Sequence, residues 1–274
     1  MTTAPKPSGL PSLLERENRV FLAATLIVGV VAGLSAVLFS LSITATTRWL
    51  FGIRPSGLRI LVITPGISLL TGLLLWRFFP NVRGSGIPQT KAAYHLNDGV
   101  IPLSVPLGKF LTGVLCISSG HSIGREGPSV QIGAGLASAA GTWLGLPKAR
   151  IKELVPVGAA AALSAAFNTP VAAVLFSLEE IIGDLNAPLI GSTVVSSVAS
   201  VVVARSLLGN EPLFHVPTYQ LAHPAELLAY AALGIVGGAV SLLFTTGLLR
   251  ARMAFRRLPA WSPPLQPEIG RAHV

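Results

Sequence analysis

Gly124-Arg125-Glu126-Gly127-Pro128 is the stretch around which the rest of the chain is organised. It places two charges between the charge-free stretches Leu111–Gly124 and Gly127–Pro147. Pro128 fits the first turn of a helix, because its missing N–H is not needed there. Glu126 would then lie at a helix N-terminus, where free N–H groups and the helix dipole favour an anion. A capped loop with both charges solvated remains an equally good interpretation of these residues alone.

The composition indicates a membrane protein. Hydrophobic residues make up 51% of the 274 residues and charged residues only 11%, against roughly 25% charged in a typical soluble domain. A spanning helix needs about 20 mostly apolar residues. Long uncharged stretches recur at Val20–Thr47, Ile60–Trp76, Gly127–Pro147, Leu154–Leu178, Leu185–Ala204 and Leu227–Leu249. The chain is therefore predicted to be an all-α polytopic membrane protein, since 274 residues cannot enclose so much apolar sequence in a soluble core.

Charge and chemistry exclude several other functions. The formal net charge is +9, but the basic residues gather at the ends of apolar segments, so no nucleic-acid partner is expected. The single Cys116 cannot form an internal disulfide. The five His residues lack metal-ligand spacing. We find no nucleophile–base pairing and no phosphate-binding loop, and so expect no enzyme activity, metal or cofactor.

Three regions are predicted along the chain. Residues 1–19 are proline-rich and charged, and are expected to be a flexible cytoplasmic leader. Residues 20–257 hold all the apolar segments and form the transmembrane domain. Residues 258–274 form a polar tail. No signal peptide is evident.

A second glycine-rich motif is Gly84-Ser85-Gly86-Ile87-Pro88. Two glycines allow a sharp turn, Pro88 suits a helix start, and Ser85 is a candidate N-cap. The segment Gln89–Leu96 that follows is too short to cross a membrane. An ordinary capped turn between helices is the alternative interpretation.

A pair of carboxylates, Glu179-Glu180, lies near the end of an apolar segment. Asn168-Thr169-Pro170 is predicted to restart a helix that runs over Val171–Ile182 and carries both glutamates. A polar helix end at the water interface is the alternative, because carboxylates inside a membrane are costly.

An internal repeat connects the two ends of the chain. Gly29, Val31, Gly33, Leu38 and Phe39 recur at a constant offset as Gly234, Val236, Gly238, Leu243 and Phe244. The first copy follows Lys6, Arg16 and Arg19, whereas the second precedes Arg250, Arg252, Arg256 and Arg257. The positive-inside rule therefore predicts that the two copies cross in opposite senses. Inverted repeats with interrupted helices are typical of transporters, although chance similarity of glycine-rich helices is the alternative.

These motifs together resemble the CLC family of chloride channels and proton-coupled chloride transporters. Gly84–Pro88, Gly124–Pro128 and the run from Phe167-Asn168-Thr169-Pro170 to Glu179-Glu180 look like its signature stretches, in the family's order. The resemblance covers roughly residues 19–257. It implies an inverted-repeat helical fold, a homodimer in the lipid bilayer, and an anion pathway in each subunit. It also implies an integral, multi-pass protein, which we expect in the inner membrane of a bacterium.

The resemblance also implies roles for particular residues. Ser85 matches the serine that holds the central chloride, and Gly84 and Gly86 flank it. Glu126 matches the gating glutamate, and Arg125 and Gly127 would supply backbone around the outer site. Glu180 matches the inner proton-transfer glutamate of the exchangers. Protonation of Glu126 would remove a competitor for the anion's place and so couple protons to chloride.

The sequence departs from the family after the repeated helix. The family's second anion-coordinating loop, of the Gly-x-Phe-x-Pro type, and its later tyrosine are absent; Tyr219 and Tyr230 are not at matching places. We therefore expect a fold truncated after the start of the second repeat. Proton-coupled chloride exchange is the predicted function, because Glu180 suits an exchanger. A passive gated chloride channel and a non-transporting membrane subunit are the alternatives.

Overall fold

The computed structural model describes residues 10–52, 56–185, 188–210 and 223–257, and no β-strand occurs within these ranges. The described chain is built from α1 Leu10–Phe51, α2 Gly57–Arg77, α3 Ile87–Leu96, α4 Ser104–Ser118, α5 Glu126–Trp143, α6 Lys148–Phe167, α7 Pro170–Phe176, α8 Ile190–Leu208 and α9 Glu226–Arg256. A short 3₁₀ turn, Pro80–Val82, precedes α3, and a π-helical turn, Ser177–Ile182, follows α7. The all-α prediction is confirmed.

Four of the described helices are long and apolar enough to cross a membrane. They are α1 from Glu17, α2, α8, and α9 as far as Ala251. They match the predicted uncharged stretches at both ends of the chain. The shorter apolar helix α4 lies between them in the sequence. The predicted short segment after Pro88 is α3, which has 10 residues.

The core forms where α5 and α6 pack against each other through glycine. A Cβ atom on Gly133 would collide with the carbonyl oxygen of Gly158, and one on Gly158 would collide with that of Gly133. The alanine-rich middle of α6, including Ala159 and Ala160, is buried. Small residues at this contact let the two backbones approach closely, as they do in other membrane helices.

Close backbone contact at glycine residues also joins α1 to α8. A Cβ on Gly29 would lie 2.7 Å from the carbonyl oxygen of Ser196, and one on Gly33 would lie 2.8 Å from that of Ser200. Their repeat counterparts on α9, Gly234 and Gly238, have nothing within 4 Å in the described chain. Both copies of the repeat are therefore helices. In the described structure, only the glycines of the first copy pack against another helix.

The predicted leader differs from the structure in its extent. Helix α1 already begins at Leu10, inside residues 1–19, and runs unbroken into the first span. Two turns further on, Arg150 donates from Nε to Glu17 at 3.0 Å and from Nη2 to Asn18 at 2.9 Å, which joins this part of α1 to α6. The predicted polar tail, residues 258–274, lies outside the described residues.

The uncharged stretch Leu154–Leu178 is divided in two. Asn168 adopts a left-handed conformation, with φ of 56°, and ends α6. Pro170 then begins α7. The helix restart predicted at Asn168-Thr169-Pro170 is confirmed, because asparagine tolerates the left-handed region and proline suits a first helical turn.

Candidate functional site

The loop around Ser85 is held by the side chain of Gln89. Gly84 and Gly86 have φ of 94° and 111°, a region that favours glycine. The backbone N–H of Gly86 donates to Gln89 Oε1 at 2.9 Å, and Gln89 Nε2 donates to the carbonyl oxygen of Arg83 at 2.9 Å. The loop therefore has one defined shape, set from the first turn of α3.

The prediction that Ser85 is the N-cap of α3 is wrong. Gly86 occupies the N-cap position, and no side-chain oxygen caps the helix there. Gln89 reaches back to the Gly86 N–H instead, so the serine hydroxyl is not needed as a cap. Ser85 is exposed, and within the described ranges its hydroxyl makes no hydrogen bond, so it is available to a ligand.

A buried lysine supports this loop from α4. Lys109 is only 2% exposed. Its Nζ donates to the carbonyl oxygen of Val82 at 3.1 Å and to that of Gly84. In the sequence, Lys109 is the single charged residue of the apolar stretch 103–119. That was the available signal, because a buried charge must have polar partners.

Helix α5 begins at Glu126, so this carboxylate lies in its first turn as predicted. The helix starts before Pro128, and Arg125 is its N-cap residue. Glu126 is exposed, and its carboxylate lies over Gly124, where any Cβ would collide with Glu126 Oε2. Glycine at 124 is thus what leaves room for the carboxylate in this position.

The two glycine-rich motifs are in direct contact. A Cβ on Gly127 would collide with the carbonyl oxygen of Ser85, and a Cβ on Gly86 would collide with that of Gly127. The structure therefore brings Gly84–Gly86 and the first turn of α5 together. The N–H groups of that first turn have no partner within the helix, and so can bind an anion.

The side chain of Arg125 points into a different environment. Its Nη1 donates to Ser40 Oγ at 3.1 Å, and its guanidinium carbon lies 5.2 Å from the centre of the Phe167 ring. The side chain thus binds α1 and the end of α6. The predicted role of Arg125 concerns its backbone at the start of α5, and it stays a prediction.

Glu180 is not joined to this pair of motifs. It lies with Glu179 on the π-helical turn, and both are exposed. The turn itself is anchored, because Ser177 Oγ donates to the carbonyl oxygen of Pro156 at 2.7 Å. No hydrogen bond connects Glu180 with Glu126 across the residues that the structure describes. Among those same residues, no group of three His, Cys, Asp or Glu could hold a metal ion.

A hydrogen-bonded group around His121 anchors the loop before Glu126, and sequence reasoning missed it. His121 Nε2 and Ser68 Oγ on α2 are 2.7 Å apart, and His121 Nδ1 and Ser119 Oγ are 2.8 Å apart. Thr64 Oγ1 donates to the carbonyl oxygen of Ser119 at 2.7 Å. Ser68 and Thr64 lie more than 50 residues from the residues they contact, so no local motif indicates these two contacts.

The matching family model and the similar proteins all point to one family. Residues 67–273 match the family model described as voltage gated chloride channel. A voltage-gated ClC-type chloride channel ClcB of Yersinia pseudotuberculosis is 33% identical over 212 residues, which are 76% of this chain and 51% of that protein. An H⁺/Cl⁻ exchange transporter ClcA of Vibrio vulnificus is 30% identical over 256 residues, covering 86% of this chain and 52% of the relative. The chain spans about half the length of the curated relatives it matches.

Solved structures show the same fold. A slow cyanobacterial Cl⁻/H⁺ antiporter matches with a TM-score of 0.79 and 26% identity, over 92% of this chain and 63% of the antiporter. A CLC-type fluoride/proton antiporter matches with a TM-score of 0.75 and 21% identity, over 93% of this chain and 61% of its own. The second likeness concerns the fold alone.

Proposed function

This chain belongs to the voltage-gated chloride channel (CLC) family, and we propose that it takes part in proton-coupled chloride exchange across a membrane. The observation that carries the proposal is the contact between the Gly84–Gly86 loop and Gly127. That contact brings the backbone and the Cβ atom of the exposed Ser85 against the first turn of α5. A hydroxyl and unpaired backbone N–H groups together bind an anion through partial charges.

Weak binding suits transport. A full cation would hold chloride tightly, whereas hydroxyl and helix-end dipoles replace part of its hydration shell and still let it leave. Lys109 places a full charge behind the loop, but its ammonium is engaged by the Val82 and Gly84 carbonyl oxygens. We infer that Lys109 shapes the loop from behind, while Ser85 contacts the ion.

Glu126 is the proposed gate. Its carboxylate, in the first turn of α5, competes for the positive potential that would attract chloride. Protonation removes the charge and with it the competition. A bound chloride in turn disfavours the ionised glutamate, which couples the two ions. Glu180 is proposed as the inner proton-transfer group, because it is an exposed carboxylate on a separate element.

A passive chloride channel is the second candidate. The relatives support both, since one is named a channel and another an exchange transporter. A channel needs the gate but no separate proton exit, so the role of Glu180 decides between the two. A membrane subunit that does not transport ions by itself is the third candidate.

The remaining parts of the proposal concern setting and partners. We propose an integral, multi-pass protein of a bacterial inner membrane, working as a homodimer in the lipid bilayer. Its transported ions are chloride and protons, and it needs no cofactor or nucleic acid. Catalysis of a chemical reaction is not proposed, since family members named among the relatives are channels or transporters.

Paired chloride and proton flux in liposomes under a chloride gradient tests the exchange mechanism. The unmodified chain should move both ions. Glu126→Gln should keep chloride flux and lose the coupled proton flux. Glu180→Gln should also lose proton flux but keep gating by external pH. Chloride flux without protons in the unmodified chain would replace the exchanger by the channel, and no chloride flux at all would favour the non-transporting subunit.

A further inference from the structure

A cavity of about 140 Å³ lies where α1, α6 and α8 meet the start of α5. None of the Ser85 loop residues lines it. It lies at the end of the bundle where α6 and α8 finish, opposite the end where Arg150 binds Glu17. The lining residues are Ala36, Ser40, Arg125, Ala165, Ala166, Phe167, Asn168, Ala204, Arg205, Leu208 and Gly209.

Two guanidinium groups line this cavity, and both are held by neutral partners. Arg125 donates to Ser40 Oγ at 3.1 Å and lies over the ring of Phe167. Arg205 donates from Nε to Asn168 Oδ1 at 2.8 Å. Each contact fixes the direction of a guanidinium group without cancelling its charge. The cavity therefore carries two positive charges, one on the half-buried Arg125 and one on the exposed Arg205.

No carboxylate lines the cavity among the residues the structure describes. The contrast with Arg150 at the opposite end is direct, because that guanidinium binds both Glu17 and Glu153. Glu126 follows Arg125 in the sequence, but its carboxylate lies over Gly124. Glu126 is nevertheless a Coulombic partner of Arg125 and offsets part of its positive charge. The second guanidinium group, that of Arg205, leaves the site with a net attraction for an anion.

The helix dipole explains part of this arrangement. Arg205 lies in the last turn of α8, where a cation is favoured by the partial negative charge of the helix end. That effect does not account for Arg125, which lies at the start of α5 yet extends to the same cavity. It also does not account for the space between the helices. A cavity of about 140 Å³ has room for a small ion with several waters, since one water needs about 10–15 Å³.

We propose that this cavity, which we call the dibasic cavity, is a second anion site that takes a small inorganic anion such as a halide. Arg125 and Arg205 supply the charge, and their N–H groups supply charge-assisted hydrogen bonds. The Ser40 hydroxyl and the Asn168 amide keep the two guanidinium groups in place. The site is separate from the one at Ser85, and its existence does not depend on what Ser85 binds.

Bromide provides a direct probe, because it replaces chloride and scatters anomalously. Crystals of the whole chain grown in sodium bromide should show an anomalous peak within hydrogen-bonding distance of the Arg125 and Arg205 guanidinium groups. The site at Ser85 would give its own peak in the same map. The two proposals can therefore succeed or fail independently. The absence of a peak in the dibasic cavity, or a lipid phosphate filling it, would overturn the inference.

Substitutions at Arg205 complete the test. Arg205→Gln should remove the peak in the dibasic cavity and leave the Ser85 peak unchanged, whereas Arg205→Lys should keep a weaker one. Arg77→Gln removes an equal charge from the end of α2 and is the matched control, with both peaks expected to remain. A cavity peak that survives Arg205→Gln would contradict the role of Arg205. If that variant does not fold, the map of the unmodified chain decides alone.

Discussion

Gly127 has no room for a side chain, because the carbonyl oxygen of Ser85 lies where its Cβ would be. This single relationship connects the two glycine-rich motifs, which are far apart in the sequence. It also brings the Cβ atom of Ser85 against the first turn of α5. The anion site proposed here exists only if these two backbones stay in contact.

Gly127→Ala is therefore expected to separate the two motifs. The added methyl group meets backbone rather than a flexible side chain. We therefore expect the free energy of unfolding to fall by about 1–3 kcal/mol and chloride binding to be lost. Thermal unfolding and calorimetric chloride titration in detergent would measure both. Gly191→Ala is the control, since Gly191 is a helical glycine with nothing within 4 Å, and it should be neutral or slightly stabilising. Equal behaviour of the two variants would contradict the contact.

The internal repeat offers a second matched pair. Gly33→Ala should destabilise the chain by about 1–3 kcal/mol, because its methyl group would press on the Ser200 carbonyl oxygen of α8. Gly238→Ala, the same change at the matching position of α9, should not, since nothing lies within 4 Å of Gly238 in the described chain. Thermal denaturation of both variants distinguishes them. A comparable loss from Gly238→Ala would show that α9 is packed as tightly as α1.

Lys109→Met should loosen the Ser85 loop. The substitution keeps an unbranched, buried side chain but removes the donor that binds the Val82 and Gly84 carbonyl oxygens. Leaving those acceptors unpaired should cost about 1–3 kcal/mol and weaken chloride binding.

Lys148→Met is the control for this change. The Lys148 side chain is 76% exposed, and its Nζ lies 3.9 Å from Asp98 Oδ2, a long distance for an ion pair. It should change neither stability nor chloride affinity, since exposed ion pairs contribute little. Normal chloride binding by Lys109→Met, measured by calorimetry, would show that the loop keeps its shape without the lysine.

Much of the fold could be predicted because the signals are local. Uncharged length predicts the spans α1, α2, α8 and α9, and Asn168-Thr169-Pro170 predicts the break between α6 and α7. Glu126 at the start of α5 follows from the proline two residues later. These features depend on propensity and composition over a few turns, which a sequence displays directly.

What could not be predicted depends on contacts between distant segments. Ser85 was one candidate cap for α3, but the Gln89 side chain binds the Gly86 N–H instead and leaves the serine hydroxyl free of that role. Lys109 binds carbonyl oxygens of a preceding loop, and His121 joins α2 to the end of α4. Tertiary packing selects these partners, and nothing in the neighbouring residues indicates them.

The most direct test of the account is calorimetric chloride titration of the unmodified chain, of Glu126→Gln and of the double variant Ser85→Ala/Glu126→Gln. If the Glu126 carboxylate competes with chloride at the start of α5, the Glu126→Gln variant should bind chloride about tenfold more tightly. That factor corresponds to roughly 1.4 kcal/mol of binding free energy. Adding Ser85→Ala should remove that gain. Equal chloride affinity of the unmodified chain and Glu126→Gln would contradict the gate, and tight binding by the double variant would contradict the role of Ser85.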